Sequence, residues 1–107
     1  MNGHIGLNEP GVDFNLYSHH ALLAPLTISV GQKYFKKQTA LTKGITLGLK
    51  YLQEAKTPVL IASGGKKADI IEKALKDEIN QQLPATIFQK LPSAVIFLDE
   101  DAALHLV

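Results

Sequence analysis

Apolar positions along this chain follow two rhythms, one helical and one of short continuous runs, with proline and glycine at the boundaries. The helical rhythm is clearest over 66–79, where Ala68, Ile71, Ala74, Leu75 and Ile79 form one stripe. Asp69 with Lys73 and Glu72 with Lys76 make i,i+4 pairs on the opposite side, so a helix is predicted there. The runs Val59-Leu60-Ile61-Ala62 and Ala94-Val95-Ile96-Phe97-Leu98 predict strands buried on both faces, as in a parallel sheet. Ile45, Leu49, Leu52 and Ala55 recur at helical spacing until Pro58, which predicts a helix over 43–55. Upstream, 20–24 reads as a short strand and 26–36 as a helix, with Pro25 between them. Residues 1–20 are rich in Gly, Asn, His and Pro, show no period, and read as a loop. Pro84 breaks the chain, 85–90 fits neither rhythm, and 102–107 reads as a short last helix.

Helix, strand, helix, strand, helix is the grammar of a layered α/β sheet. The 107 residues suffice for one small domain and not for two. With 46% hydrophobic and 20% charged residues a packed fold is expected rather than a disordered chain. The formal net charge is +1 and the lysines are scattered, so nothing marks a nucleic-acid surface. The absence of cysteine excludes a disulfide framework, a thiolate metal site and a cysteine nucleophile. No apolar stretch is long enough to span a bilayer, and Asn-Gly-His after Met1 lacks the pattern of a signal peptide. A cytoplasmic location without a membrane partner is therefore the default expectation.

Two places concentrate residues with chemistry to offer. The first is the turn Ser63-Gly64-Gly65-Lys66-Lys67 between a strand and a helix, where glycines admit a ligand to the backbone and lysine adds charge. Such a turn suits a phosphate, although it is neither a Walker A loop nor a dinucleotide fingerprint. A tight turn with two solvated lysines is the alternative. The second is the loop holding His4 and Glu9, where a carboxylate can hold an imidazole for acid/base work near neutral pH. An exposed loop histidine is the bland alternative, and His19, His20 and His105 supply no metal-ligand spacing with His4. Asp99-Glu100-Asp101, after an apolar run, fits a helix cap better than a cation site. His19-His20 fits a surface or strand-start position, with no function assigned.

The run Asn2-Gly3-His4-Ile5-Gly6-Leu7-Asn8-Glu9-Pro10-Gly11 resembles the signature loop of the glucosamine-6-phosphate deaminase and galactosamine-6-phosphate isomerase family. Ala40 to Thr46, Val59 to Ala68 and Ala94 to Glu100 follow in that family's order and spacing, so the resemblance covers essentially the whole chain. It implies the C-terminal part of a three-layer αβα, Rossmann-like sheet, with 1–107 a portion of one sugar-phosphate isomerase/deaminase domain. It also implies a cofactor-free reaction on a hexosamine 6-phosphate: ring opening, proton transfer between C2 and C1, and release of ammonia to leave a ketose 6-phosphate. A homo-oligomer is the implied assembly.

Carried over residue by residue, the resemblance makes His4 the acid/base for ring opening, Glu9 the residue that orients it and stabilises its charged form, and Asn2 the third member of the relay. Many members carry aspartate at the Asn2 position, and a neutral amide can orient an imidazole without sharing a negative charge with it. Lys67 falls on the phosphate-binding lysine. Lys33 falls on a second basic phosphate ligand that is usually arginine, so the charge is kept and the bidentate fork is lost. Leu16-Tyr17-Ser18-His19-His20 departs from the corresponding segment of the allosteric deaminases, whereas 44–50 and 82–86 lean toward the galactosamine branch. The strand, Gly-rich phosphate loop and C2 base with which family members begin do not precede Met1, so the resemblance implies that the chain alone is expected to be an inactive fragment. A noncatalytic sugar-phosphate-binding or subunit-interaction remnant is the alternative reading. A 6-phosphogluconolactonase-like hydrolase comes third.

Overall fold

In the computed structural model, which describes residues 2–35 and 40–107 and only the backbone of Lys33, the two apolar runs pair as expected. β3 (Val59–Ala62) and β4 (Val95–Leu98) lie parallel, with Val59 opposite Val95 and Ile61 opposite Phe97. The connection between them carries α3 (Ala68–Lys76) and a buried 3-10 segment, Pro84–Lys90. One face of this pair is covered: Leu60 and Ile96 pack against a core of Phe14, Leu49, Ile87, Phe88 and Leu91. The other face is open, with Ile61 75% and Phe97 57% exposed. The expectation of burial on both faces is thus met on one only, because nothing in the described residues lies over the second.

α3 buries Ala68, Ile71 and Ala74, the heart of the expected stripe, but stops at Lys76, so Ile79 lies beyond it and is exposed. Its last carbonyls are not left orphaned. Gln89 Nε2 donates to Ala74 O at 2.8 Å and to Asp77 O at 2.7 Å, fastening the helix end to the 3-10 segment. Of the two expected surface pairs, Glu72 and Lys76 meet at 3.7 Å, while Asp69 meets His105 at 3.1 Å. Within Pro84–Lys90, Ile87 and Thr86 are fully buried, and Thr86 Oγ1 donates to Leu83 O at 2.7 Å. Burying a side chain such as Ile87 contributes about 1.5–3 kcal/mol, enough to hold a segment that no local rhythm predicts.

The helix expected over 43–55 is corrected. Residues Lys43–Thr46 form β2, antiparallel to β1 (His19–Leu22), with Ala21 opposite Gly44, and only Lys50–Glu54 is helical as α2. Gly44 and Gly48 weaken any helix here and β-branched Ile45 and Thr46 favour extension. β1 then supplies the ladder, while Leu7 packs over Gly44 and the Leu16 and Tyr17 carbonyls crowd Gly48. Buried Leu49 belongs to the core from the turn before α2. Upstream, the expected helix is α1 (Pro25–Gly31), followed by a 3-10 turn Gln32–Tyr34; Pro25 starts it rather than merely separating it from β1. Its expected last residue, Lys36, lies outside the described residues. The expected last helix is a single 3-10 turn, Leu104–Leu106.

Candidate functional site

The loop 2–11 is built so that its histidine is presented rather than packed. Gly3 has φ 71°, a conformation glycine reaches at no steric cost, and its carbonyl accepts from Ala85 N–H at 2.9 Å. Asn8, 1% exposed, donates from Nδ2 to Ile5 O at 2.8 Å and to Leu47 O at 2.9 Å, bracing the loop on the chain after β2. Among the described residues the buried Asn8 Oδ1 has no hydrogen-bond partner. Asn2 Oδ1 accepts from the His4 main-chain N–H at 3.2 Å, so Asn2 fixes the backbone of His4 rather than its ring.

The His4 ring, 40% exposed, places Nδ1 2.7 Å from Gly6 O. A carbonyl only accepts, so Nδ1 carries the proton in this bond and Nε2 of the neutral ring is left as the basic nitrogen. Glu9 Oε1 is 3.7 Å from Nδ1, an ion-pair distance beyond hydrogen-bond reach. The buried Glu9 carboxylate is instead bonded to the start of α1: Ala24 N–H donates to Oε2, and Thr27 Oγ1 lies 2.9 Å from Oε1 and 3.0 Å from Oε2.

Asn2, His4 and Lys67 line one cleft of about 730 Å³. Its walls are Leu26, Val30 and Tyr34 on the α1 side, and Leu60, Ile61 and Ile70 on the β3 and α3 side. Glu9 lies outside it and faces a second depression of about 270 Å³ beside β1. Of the five residues expected at a site, three therefore share a cleft and Glu9 stands behind them. Lys33 sits in the turn that follows the α1 wall, and its side chain lies outside the described residues.

The turn carrying Lys67 is set by an aspartate just beyond the end of β4. Gly64 has φ 94°, and its N–H donates to both carboxylate oxygens of Asp99 at 3.1 Å. That amide therefore does not point at a ligand, which corrects part of the expected phosphate cradle. Asp99 Oδ1 also accepts from Ala102 N–H at 2.8 Å, which closes a turn and is not the expected helix cap, since the 3-10 turn Leu104–Leu106 starts after Ala103 with no side-chain cap. The Asp99 carboxyl is held below the ordinary aspartate value by the Ala102 amide first, then by the Gly64 amide and by the charge of Lys67. The bond to Ala102 is local, whereas the bond to Gly64 spans 35 positions and left no local signal. Thr27 likewise reaches Glu9 across 18 positions. Among the described residues no group of three or more His, Asp or Glu is placed to hold a metal ion. His19 bonds through Nδ1 to Tyr17 O at 2.9 Å at the start of β1.

The model of the family described as glucosamine-6-phosphate isomerases/6-phosphogluconolactonase matches residues 16–97. The chain belongs to that family. Similar family members include glucosamine-6-phosphate deaminases of Staphylococcus saprophyticus, 40% identical over 106 residues, and of Streptococcus thermophilus, 39% identical over 106 residues. These matches cover 98% of this chain and 44% and 46% of the relatives, so the chain spans less than half of their length. A solved monomeric glucosamine-6-phosphate deaminase superposes with a TM-score of 0.87 at 31% identity, over 96% of this chain and 43% of that one. The α/β, Rossmann-like fold expected from the sequence is the fold of this family member. A 6-phosphogluconolactonase from Leishmania guyanensis superposes with a TM-score of 0.67 at 20% identity, over 99% of this chain and 38% of that one, a likeness of fold alone. No helix of the described residues is long and apolar enough to cross a membrane.

Proposed function

We propose that residues 1–107 are the C-terminal portion of an amino-sugar 6-phosphate isomerase/deaminase domain, and that His4 is its acid/base for opening the sugar ring. The observation that carries this reading is the single cleft lined by Asn2, His4 and Lys67. A basic imidazole nitrogen and a primary ammonium lining one cleft suit a phosphorylated sugar, whose phosphate the lysine holds while the imidazole moves a proton at the ring oxygen. Lys33 is the second phosphate ligand in this proposal. Glu9 contributes a negative charge 3.7 Å from His4 Nδ1, near enough to favour an imidazolium formed during the reaction. No cofactor takes part.

The names of the relatives support glucosamine 6-phosphate as the first substrate to test, with galactosamine 6-phosphate, toward which 44–50 and 82–86 lean, as the second. Ring opening alone does not complete the reaction, since a base must also remove the C2 proton. Oriented groups on one scaffold contribute on the order of 7–11 kcal/mol of barrier reduction, and part of a site loses most of that. The 107-residue chain by itself is therefore proposed to be inactive, and activity to belong to a longer polypeptide or assembly that supplies the base.

The test is ammonia release from each amino sugar phosphate by a full-length family enzyme carrying this segment, with and without His4→Gln. The expected loss is roughly 10²- to 10⁴-fold in kcat with the fold intact. A His4→Gln enzyme within a few-fold of its parent, or ammonia release by the 107-residue chain at an intact enzyme's rate, refutes the assignment.

A further inference from the structure

α1 forms a wall of the cleft through Leu26, Thr27 and Val30, yet it contains no buried residue. Apolar packing therefore does little to fix its position, and its polar bonds carry more of that task. Two of them converge on a single carboxylate, that of Glu9, which is 8% exposed. Ala24 N–H donates to one oxygen, and the Thr27 hydroxyl lies within 3.0 Å of both. A buried carboxylate without donors is costly, so these bonds are not optional. The imidazole does not replace them, because Nδ1 is occupied by Gly6 O at 2.7 Å and stands 3.7 Å from Glu9.

We infer that Thr27 is a positioning residue: acting through Glu9, its hydroxyl holds α1 against the His4 loop and so sets the width of the cleft that His4 and Lys67 share. Glu9 on this view has two duties, a charge near His4 and an anchor for the opposite wall. The consequence for catalysis rests on the sugar-phosphate reading above, whereas the anchoring stands on geometry alone.

Amide hydrogen exchange on the 107-residue chain tests it, comparing the parent with Thr27→Val and Thr27→Ser at one pH. Valine keeps the methyl and puts a second one in place of the hydroxyl donor; serine keeps the donor and removes the methyl. The expected result for Thr27→Val is exchange faster by roughly ten- to a hundredfold at Ala24, which donates to Glu9, and at Ile28, which donates to Ala24 O. Thr27→Ser should stay within about threefold of the parent. The Asp77 amide at the end of α3, bonded to Lys73 O, should not change in either variant. An unchanged Thr27→Val, a serine variant faster than the valine one, or an α3 that accelerates in step would each overturn the anchoring role. Titration with glucosamine 6-phosphate of a full-length family enzyme carrying this segment, as the parent and with the same two substitutions, separates the two claims. Binding weakened in the valine variant alone supports the link to the cleft, equal binding by all three breaks that link, and failure of the parent to bind strikes the sugar-phosphate reading while exchange still decides the anchor.

Discussion

Replacing Gly3 by alanine should destabilise the whole chain although the change adds one methyl group to a loop. Two costs combine. At φ 71° an L-residue is strained by about 1–2 kcal/mol. The new Cβ also collides with the Leu83 side chain and comes to 3.6 Å of Ile70 Cδ1. Leu83 is half-buried and must turn away, and such overpacking costs typically about 1–3 kcal/mol. Alanine restricts the unfolded chain and so offsets about 0.4–1 kcal/mol. The net expectation is a loss of about 1–4 kcal/mol, a large share of the roughly 5–15 kcal/mol that holds a domain together. In a domain of this size each kcal/mol moves Tm by about 4–8 °C, so circular dichroism should register a fall of at least about 4 °C. Gly65→Ala is the control, because among the described residues, its two chain neighbours aside, no heavy atom lies within 4 Å of a Cβ built there, and it should stay within about 1 kcal/mol of the parent. A Gly3→Ala chain that melts with its parent, or a Gly65→Ala chain that melts as early as Gly3→Ala, would refute the argument.

Lys67→Met in a full-length enzyme carrying this segment should weaken phosphosugar binding by roughly ten- to a hundredfold, the value of a charged hydrogen bond; unchanged KM and kcat would return Lys67 to a solvated turn. Because the folded Asp99 carboxyl titrates below its unfolded value, its contribution is present above the unfolded value and lost as pH falls through the lowered one. Gly64 and Ala102 amide shifts should therefore move with a midpoint below that of an aspartate in an unstructured peptide, and a midpoint at or above it would contradict the bonding described. The open face of the parallel pair presents Val59, Ile61, Val95 and Phe97, a surface that parallel sheets normally cover. The chain should self-associate through it, and Ile61→Glu should shift sedimentation toward monomer; a parent that stays monomeric at high concentration would exclude this face as a self-contact.

What the sequence determined by itself are the parts fixed by neighbours. β3, β4 and the body of α3 follow from apolar runs and from a stripe at helical spacing. The signature loop 2–11 was likewise readable, because a specific order of Gly, His, Asn, Glu and Pro carries its own turn chemistry. Tertiary structure decided the rest. The spacing of Ile45, Leu49 and Leu52 mimicked a helix, but β1, more than twenty positions upstream of its partner residues, turned 43–46 into a strand. Pro84–Lys90, without a rhythm, became the most buried stretch because the core closes around it. The union of His4 and Lys67 in one cleft, the bond from Gly64 to Asp99 and the bond from Thr27 to Glu9 all join residues far apart in the chain. Local spacing encodes what a residue does to its own turn of backbone; which distant group meets a carboxylate or an imidazole is fixed only when the core packs, since burial is what makes those particular bonds obligatory.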